Sequence, residues 1–240
     1  MENQSAEKDK RISDLLAEKK AFMRVVSHDL RSPISRIIGF GDLLQKDLAG
    51  NEDLEEFAKM VVDAGWQLSN MIARIMEVEE FESEERELIK APADLGQTLS
   101  SIVEDHRDAF DKKEITINLN ISREDLTYET DKIDLDLVIN NLLSNASKFS
   151  LKGSSVDISI EKEDESILLK IKDQGPGFKE GEKEIAFDKF SKLSAKPTGG
   201  ETASGLGLYV VKVCIDRMGA SEIDILDNQP SGTSVEVRFK

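Results

Sequence analysis

The chain has 240 residues, enough for one large domain or two modest ones, and its hydrophobic fraction of 39% is too high for wholesale disorder. With 32 basic and 48 acidic residues its formal net charge is −16, which argues against nucleic-acid or anionic-membrane binding because phosphates would be repelled. The single cysteine, Cys214, excludes an internal disulfide framework, and no apolar run reaches membrane-spanning length.

Residues 1–82 are predicted to form an all-α region, a coiled-coil lead-in and a helical hairpin. Apolar side chains recur at alternating steps of three and four, which indicates one buried stripe on each helix. Gly50 and Asn51 interrupt this pattern and predict a turn. Since a lone hairpin has little core, we expect two copies to form a dimeric four-helix bundle. The stripe includes Leu30, Ile37 and Leu44, then Leu54, Phe57, Val61 and Leu68.

The glutamate-rich run from Glu77 to Glu87 predicts a solvated helix end and a linker over residues 83–92. From residue 93 to 240, helical and strand-like patterns mix, which predicts an α/β sandwich with an antiparallel or mixed sheet covered by helices. Asp94 and Gln97 have the spacing of a capping box. Further helices are predicted over residues 134–149 and 208–218, and strands over 115–121, 156–160, 167–171, 223–226 and 235–239.

His28 lies two residues after Val26 of the stripe, hence about 200° round the helix and almost opposite it. A lone helical histidine is most often an ordinary surface residue. Here the adjacent Asp29 can orient the imidazole so that one nitrogen presents its lone pair, and Pro33 allows a bend just beyond it. The pattern therefore favours His28 as a nucleophile.

Asn141, Asn145 and Lys148 project from one face of a predicted helix. The alternative is a polar surface stripe, but asparagine is a mediocre helix former in the middle of a helix. Amide oxygens suit Mg²⁺ beside a triphosphate without adding negative charge, and a lysine offsets phosphate charge. The pattern predicts a magnesium–phosphate site.

Asp173, Gly175 and Gly177 follow a predicted strand, a spacing that suits either a plain turn or a loop whose backbone approaches a ligand closely. Phe187 and Phe190, three residues apart, suit either a core or a functional role. The residues from Ser194 to Ser204 have the composition of a flexible loop.

This loop leads into a predicted helix whose first amides favour anions such as phosphate. Near the end of the sequence, Gly232 precedes the last predicted strand, and a plain turn explains this glycine at least as well as a functional role. The residues concerned are Gly205, Leu206, Gly207 and Leu208 at the helix start, and Thr233 beside Gly232.

In this order the motifs resemble the boxes of sensor histidine kinases. Residues 28–33 resemble the phosphoacceptor box, in which Ser32 replaces the usual Thr or Asn, and 141–149 the N box. Residues 173–177, 205–208 and 232–233 resemble the three glycine boxes, and 187–192 the F box, with Lys192 at the place of a phosphate-facing basic residue. The resemblance implies a dimerisation and phosphotransfer hairpin followed by a Bergerat-type ATP-binding domain.

It also implies ATP-dependent autophosphorylation of His28, with Asp29 as a candidate general base, and transfer to an aspartate of a response-regulator receiver domain. Asn145, supported by Asn141, is the expected Mg²⁺ ligand, and Asp173 the expected adenine contact. The phosphates would meet Lys148, Lys192 and the amides of residues 205–207.

The expected partners are a second copy of the chain, the receiver domain and an upstream sensor domain or protein. The expected location is the cytoplasm, either as a separate protein or as the cytoplasmic part of a longer, membrane-anchored chain. Two alternatives stay open: a degenerate kinase acting as a nucleotide-binding scaffold, and an ATPase or serine kinase of the same superfamily. Phosphatase activity with Ser32 also stays open.

Overall fold

The computed structural model describes residues 19, 23, 27, 30–44, 52–82, 87–191, 193–199, 203–219 and 221–240. The chain divides into two compact units, Met1–Glu84 and Glu85–Lys240. Among the described helices, none has the length and apolar character needed to span a membrane. The predicted turn at Gly50 and Asn51 lies outside the described residues.

In the described part of the first unit, two helices run antiparallel: α1 (residues 30–44) and α2 (Glu52–Glu82). They approach each other closely at two glycines, where any larger residue would collide with the facing helix. A Cβ on Gly41 would lie 2.4 Å from Cγ2 of Val62, and one on Gly65 would lie 2.6 Å from Cγ1 of Ile38. The buried cluster between the helices comprises Ile34, Ile38, Val62 and Ile72.

The predicted stripe is not the core of this hairpin. Its members lie beside the buried cluster on both helices, and their side chains are between 41% and 63% exposed. Within one chain the hairpin packs through the neighbouring face of each helix, which leaves this stripe exposed on a single copy. On each helix three of the exposed members are seven residues apart: Leu30, Ile37 and Leu44 on α1, and Leu54, Val61 and Leu68 on α2.

The second unit is an α/β sandwich. Its elements are β1 (Lys90–Asp94), α3 (Leu95–Asp111), β2 (Thr116–Ile121), β3 (Thr127–Asp131), α4 (Lys132–Phe149), β4 (Ser155–Glu163), β5 (Ser166–Lys172), α5 (Glu182–Ile185), α6 (Gly207–Met218), β6 (Ser221–Asp227) and β7 (Thr233–Phe239). Five strands form a mixed sheet of order β2-β4-β5-β7-β6. Strands β2 and β4 run parallel, whereas the other neighbours are antiparallel. A two-stranded sheet pairs β1 with β3.

Alternation in β4 buries one side of the strand, as in Val156, Ile158 and Ile160, whereas β5 buries Leu168 as well as Leu169. Helices α3, α4 and α6 pack against the sheet. Side-chain caps fix where α3 and α4 begin. Oδ1 of Asp94 accepts a hydrogen bond from the Gln97 amide at 2.9 Å, and Oδ1 of Asp131 accepts one from Ile133 at the same distance.

The predicted helices and strands of this unit are confirmed to within a few residues. Strands β1 and β3 and the short helix α5 were not predicted. Residues 90–92, assigned to the linker in the sequence analysis, lie in β1, where Pro92 pairs with Glu129 of β3.

Candidate functional site

A cavity of about 90 Å³ lies between α4, the loop after β5, the start of β7 and residues 193–195. Its walls are mostly apolar, and Asp173 and Glu182 each supply a carboxylate. A wider and more open groove of about 610 Å³ lies elsewhere, beside the start of α3 and the end of β2, away from the motifs. The apolar lining of the smaller cavity includes Phe149, Pro176, Phe178, Leu193, Leu208 and Val235.

The Asp173 carboxylate is held from two sides. Oδ1 accepts a hydrogen bond from the Gly175 amide at 2.8 Å and one from the Thr233 amide at 3.2 Å. Burial raises the pKa of Asp173 above its ordinary value, because desolvation of the charge outweighs these two backbone hydrogen bonds. Among the described residues, both hydrogen bonds to this carboxylate end on Oδ1.

The backbone of Asp173 is fixed to the loop between β6 and β7. Its amide donates to the Thr233 carbonyl at 2.8 Å, and its carbonyl accepts a hydrogen bond from Nδ2 of Asn228 at 2.8 Å. Gly232, at φ +122°, comes so close that a Cβ there would lie 2.0 Å from the Asp173 carbonyl oxygen. Asn228 was not predicted as a site residue, because its hydrogen bond goes to the backbone carbonyl of Asp173, which lies 55 residues earlier in the sequence.

The glycines of the first predicted box also permit close packing. A Cβ on Gly175 would lie 2.7 Å from the carbonyl oxygen of Phe149, and Gly177 has φ +70°. Gly177 lines the cavity together with Asp173. The structure therefore brings the first glycine box, Thr233 and the end of α4 together around one cavity.

Asn141 and Asn145 meet the first residue of α6. The Oδ1 atoms of both lie 3.3 Å from the position of a Cβ on Gly207. Nδ2 of Asn141 donates to the Leu137 carbonyl at 2.8 Å, which orients its Oδ1 as the available acceptor. Glycine at residue 207 thus leaves space beside two amide oxygens.

These residues fit a magnesium ion that is completed by substrate oxygens. Uncharged oxygen donors and a few contacts from the protein are what Mg²⁺ accepts when phosphates and waters fill its other positions. The described part of the chain has no group of three or more His, Cys, Asp or Glu residues that could hold a metal by themselves. The paired amides are therefore the candidate metal ligands.

The F box and the second glycine box meet through their backbones. Gly205 has φ +69°, and a Cβ there would lie 2.7 Å from the Ser191 carbonyl oxygen. Phe190 has φ +58° and is 52% exposed, and Phe187 is partly buried. Both phenylalanines lie outside the set of described residues that line the cavity. The buried Leu206 directly precedes α6.

The C-terminal end of α4 carries an unpredicted support. The buried Lys113 donates through Nζ to the Ser147 carbonyl at 2.7 Å and to the Lys148 carbonyl at 2.9 Å. A cation at this end of a helix satisfies carbonyls that have no partner within the helix. It therefore fixes the turn from which the partly buried Lys148 and the cavity-lining Phe149 project.

Three predicted site residues, His28, Asp29 and Lys192, lie outside the described residues. Ser32 is exposed on α1, and its Oγ accepts a hydrogen bond from Nη1 of Arg36 at 3.1 Å. The roles of these four residues stay predictions.

Comparisons with known proteins match both units. Residues 18–84 match the His Kinase A (phospho-acceptor) domain, and residues 130–240 match the histidine kinase-, DNA gyrase B- and HSP90-like ATPase family. The sensor protein SrrB of Staphylococcus aureus (strain MRSA252) is 28% identical over 223 residues, which cover 92% of this chain and 38% of SrrB. The chain therefore spans about two fifths of the length of this curated relative.

Solved structures share the fold. Full-length ShkA in complex with AMPPNP matches with a TM-score of 0.70 at 20% identity, covering 91% of this chain and 45% of ShkA. Histidine kinase ThkA in complex with response regulator protein TrrA matches with a TM-score of 0.67 at 20% identity, covering 100% of this chain and 66% of ThkA. With both family domains in the expected order, the chain belongs to the histidine kinases, a family of phosphotransferases, and forms a kinase transmitter core.

Proposed function

We propose that this chain transfers the γ-phosphoryl group of ATP to His28 and then to an aspartate on a response-regulator receiver domain. The observation that carries the proposal is a buried carboxylate, Asp173, in an apolar cavity close to the paired amides of Asn141 and Asn145. A mostly apolar slot with a buried carboxylate suits a nucleobase, and amide oxygens beside a helix N-terminus suit its phosphates with Mg²⁺.

Asp173 is proposed to read the adenine amino group. Since the Gly175 and Thr233 amides both donate to Oδ1, Oδ2 is the oxygen proposed to accept from the base. Guanine presents a carbonyl at the corresponding edge, and two acceptors facing each other are unfavourable. The site should therefore prefer ATP to GTP.

The phosphates are proposed to lie at the start of α6. Asn145 would hold Mg²⁺ with support from Asn141, and the ion, when bound, would offset part of the triphosphate charge. Lys148, Lys192 and the amides of residues 205–207 are proposed to bind phosphate oxygens. These groups orient the γ-phosphorus and stabilise the charge that develops during transfer.

In the transfer step, one imidazole nitrogen of His28 attacks the γ-phosphorus, the bond to the β-γ bridging oxygen breaks, and ADP leaves. Asp29 is proposed to accept the proton from the other ring nitrogen, which keeps the phosphorylated ring neutral. The phosphoryl group then passes to the receiver carboxylate and restores the free histidine.

The chain is proposed to act as a homodimer. Three apolar side chains on each of α1 and α2 are spaced by seven residues and are almost half exposed within one chain. A seven-residue repeat is the seam of a coiled coil or bundle, and a second hairpin would remove both seams from water. These seams, rather than the buried cluster of the hairpin, are the proposed dimer interface.

The receiver domain is proposed as the partner because the fold is shared with ThkA, which was solved in complex with response regulator protein TrrA. An upstream sensor domain or protein is proposed to control the kinase, since the relative SrrB is a sensor protein of greater length. We also propose that the reaction takes place in the cytoplasm, where ATP and such regulators are present.

The test is incubation with γ-labelled ATP and Mg²⁺, followed by acid and alkali treatment. Wild type should acquire an acid-labile, alkali-resistant label that moves to an added receiver domain. His28→Gln should acquire none while still binding ATP, because the substitution leaves the cavity in the second unit unchanged. His106→Gln serves as the matched control, because the chain has only these two histidines.

The alternatives give different results. A scaffold would bind ATP but never become labelled. A serine kinase would acquire acid-stable label, and an ATPase would release phosphate equally well in wild type and His28→Gln. Any of these outcomes contradicts the proposed reaction.

A further inference from the structure

The short helix α5 is joined to the wall of the cavity by one carboxylate. Oε1 of Glu182 accepts a hydrogen bond from the Ser194 amide at 2.6 Å, and Oε2 accepts one from the Ser194 hydroxyl at 3.2 Å. Oε2 also accepts a hydrogen bond from the Lys179 amide at 2.9 Å. The two neighbours of Ser194, Leu193 and Ala195, line the cavity.

The other end of this segment is attached to α4. Thr198 donates its amide to the Lys148 carbonyl at 2.9 Å, and its hydroxyl lies 2.6 Å from the Ser150 carbonyl oxygen and 3.1 Å from that of Lys148. We call residues 193–199 the lid segment. Within it, hydrogen bonds at Ser194 and Thr198 hold both ends while the residues next to Ser194 close the cavity.

The two attachments differ in kind. At Thr198 the lid segment bonds to backbone carbonyls of α4, whose end is itself fixed by the buried Lys113. At Ser194 it depends on one partly exposed side chain. The Lys179 and Ser194 hydrogen bonds keep the pKa of Glu182 below its usual range, so the carboxylate stays charged near neutral pH. Charge-assisted hydrogen bonds are the stronger kind.

We propose that Glu182 is a positioning residue that holds the lid segment against the base pocket and thereby sets how fast nucleotide leaves. This inference rests on the proposed function, because it assumes that the cavity takes the base of ATP. Glu182 lines the cavity itself, but its side chain bonds to the lid segment and not to Asn141 or Asn145, where the phosphates are proposed to bind. Its effect should fall on nucleotide exchange and not on the chemical step.

The experiment measures dissociation of a fluorescent N-methylanthraniloyl ATP by stopped flow, with excess ATP as the chase. Glu182→Ala removes the acceptor for both Ser194 hydrogen bonds and should speed dissociation about five- to tenfold, the effect of losing two partly exposed hydrogen bonds. Glu182→Gln keeps an acceptor oxygen but loses the charge, so its rate should fall between wild type and alanine.

Glu184→Ala is the matched control, because it removes the same charge from an exposed position of the same helix. It should dissociate at the wild-type rate. Ser194→Ala loses only the 3.2 Å hydrogen bond and should act weakly. Added to Glu182→Ala it should have no further effect, because its partner is already gone.

The phosphorylation rate at saturating ATP distinguishes a positioning role of Glu182 from a general role in stabilising the fold. That rate and the thermal midpoint of Glu182→Gln should match wild type although dissociation is faster. Equal dissociation rates for wild type, Glu182→Gln and Glu182→Ala would overturn the inference while leaving the proposed function intact. Failure of wild type to bind the analogue would instead contradict the proposed function.

Discussion

Replacing Asp173 with asparagine tests base recognition with a change of one atom. The Gly175 and Thr233 amides both donate to Oδ1 of the carboxylate. An asparagine side chain satisfies these two donors only when its amide oxygen takes the place of Oδ1. The amide nitrogen then replaces Oδ2, so a donor faces the adenine amino group where an acceptor stood.

The expected loss follows from this geometry. A hydrogen bond to a charged group contributes about 1.5–3 kcal/mol, which corresponds to roughly 10- to 150-fold weaker ATP binding. GTP should gain by comparison, because its carbonyl at the same edge can accept from the new amide. The ratio of ATP to GTP affinity should therefore fall by more than the ATP affinity alone.

The same substitution should not weaken the folded protein. Burial raises the pKa of Asp173, so ionising this carboxyl group disfavours the folded state. The folded protein is therefore favoured while Asp173 is protonated, and that contribution to the free energy of unfolding is lost as pH rises through the raised pKa. Asparagine carries no such penalty. Its stability advantage over wild type should be absent below the ordinary pKa of about 4 and larger at pH 7.5.

Isothermal titration with ATP and GTP, and urea unfolding at pH 4 and 7.5, measure these quantities. Asp157→Asn is a suitable control, since Asp157 is exposed on the neighbouring strand β4. The reasoning fails if Asp173→Asn binds ATP as wild type does and GTP no better. It also fails if the variant is less stable than wild type at pH 7.5 and equal to it at pH 4.

Asn145→Ala should lower ATP affinity on the order of tenfold in Mg²⁺ and little in EDTA, and equal losses under both conditions would contradict a metal role. Gly232→Ala would place a Cβ 2.0 Å from the Asp173 carbonyl oxygen, at a backbone φ of +122°. The free energy of unfolding measured in urea should therefore fall by about 2–4 kcal/mol, and an unchanged midpoint would contradict this packing. Val61→Glu should produce monomers in light scattering, whereas Lys59→Glu, at another exposed position of α2, should leave the dimer intact. If both variants are dimeric, or both are monomeric, the result contradicts the proposed seam.

Periodicity in the sequence predicted the elements that bury one continuous face, such as α4, β4 and β5. Strands β1 and β3 were not predicted, because Lys90–Asp94 and Thr127–Asp131 lack a run of buried apolar residues. These strands pair with each other across a long stretch of the chain, which a local pattern does not indicate. Periodicity also could not tell which stripe of α1 and α2 packs within the chain. Both a heptad seam and the adjacent face carry apolar residues, and Gly41 and Gly65 select the second by allowing close approach.

The candidate site divides in the same way. Asn141, Asn145 and Asp173 were predicted because the residue type itself suits the chemistry. Lys113 and Asn228 were missed because each acts on a backbone carbonyl more than 30 residues away, and a local pattern holds no record of such partners. A lysine or asparagine in a polar turn resembles any other surface residue until the fold is known.

The attachment of Asp173 to the loop before β7 has a consequence for synthesis of the chain. Its carboxylate and both backbone groups take partners from Asn228 and Thr233, more than 50 residues later. A nascent chain that lacks β7 would contain every predicted N-box and first glycine-box residue and yet have no assembled base pocket. The proposed capture of ATP should therefore begin only after the ribosome has released β7, so that nucleotide binding reports the folding of the second unit.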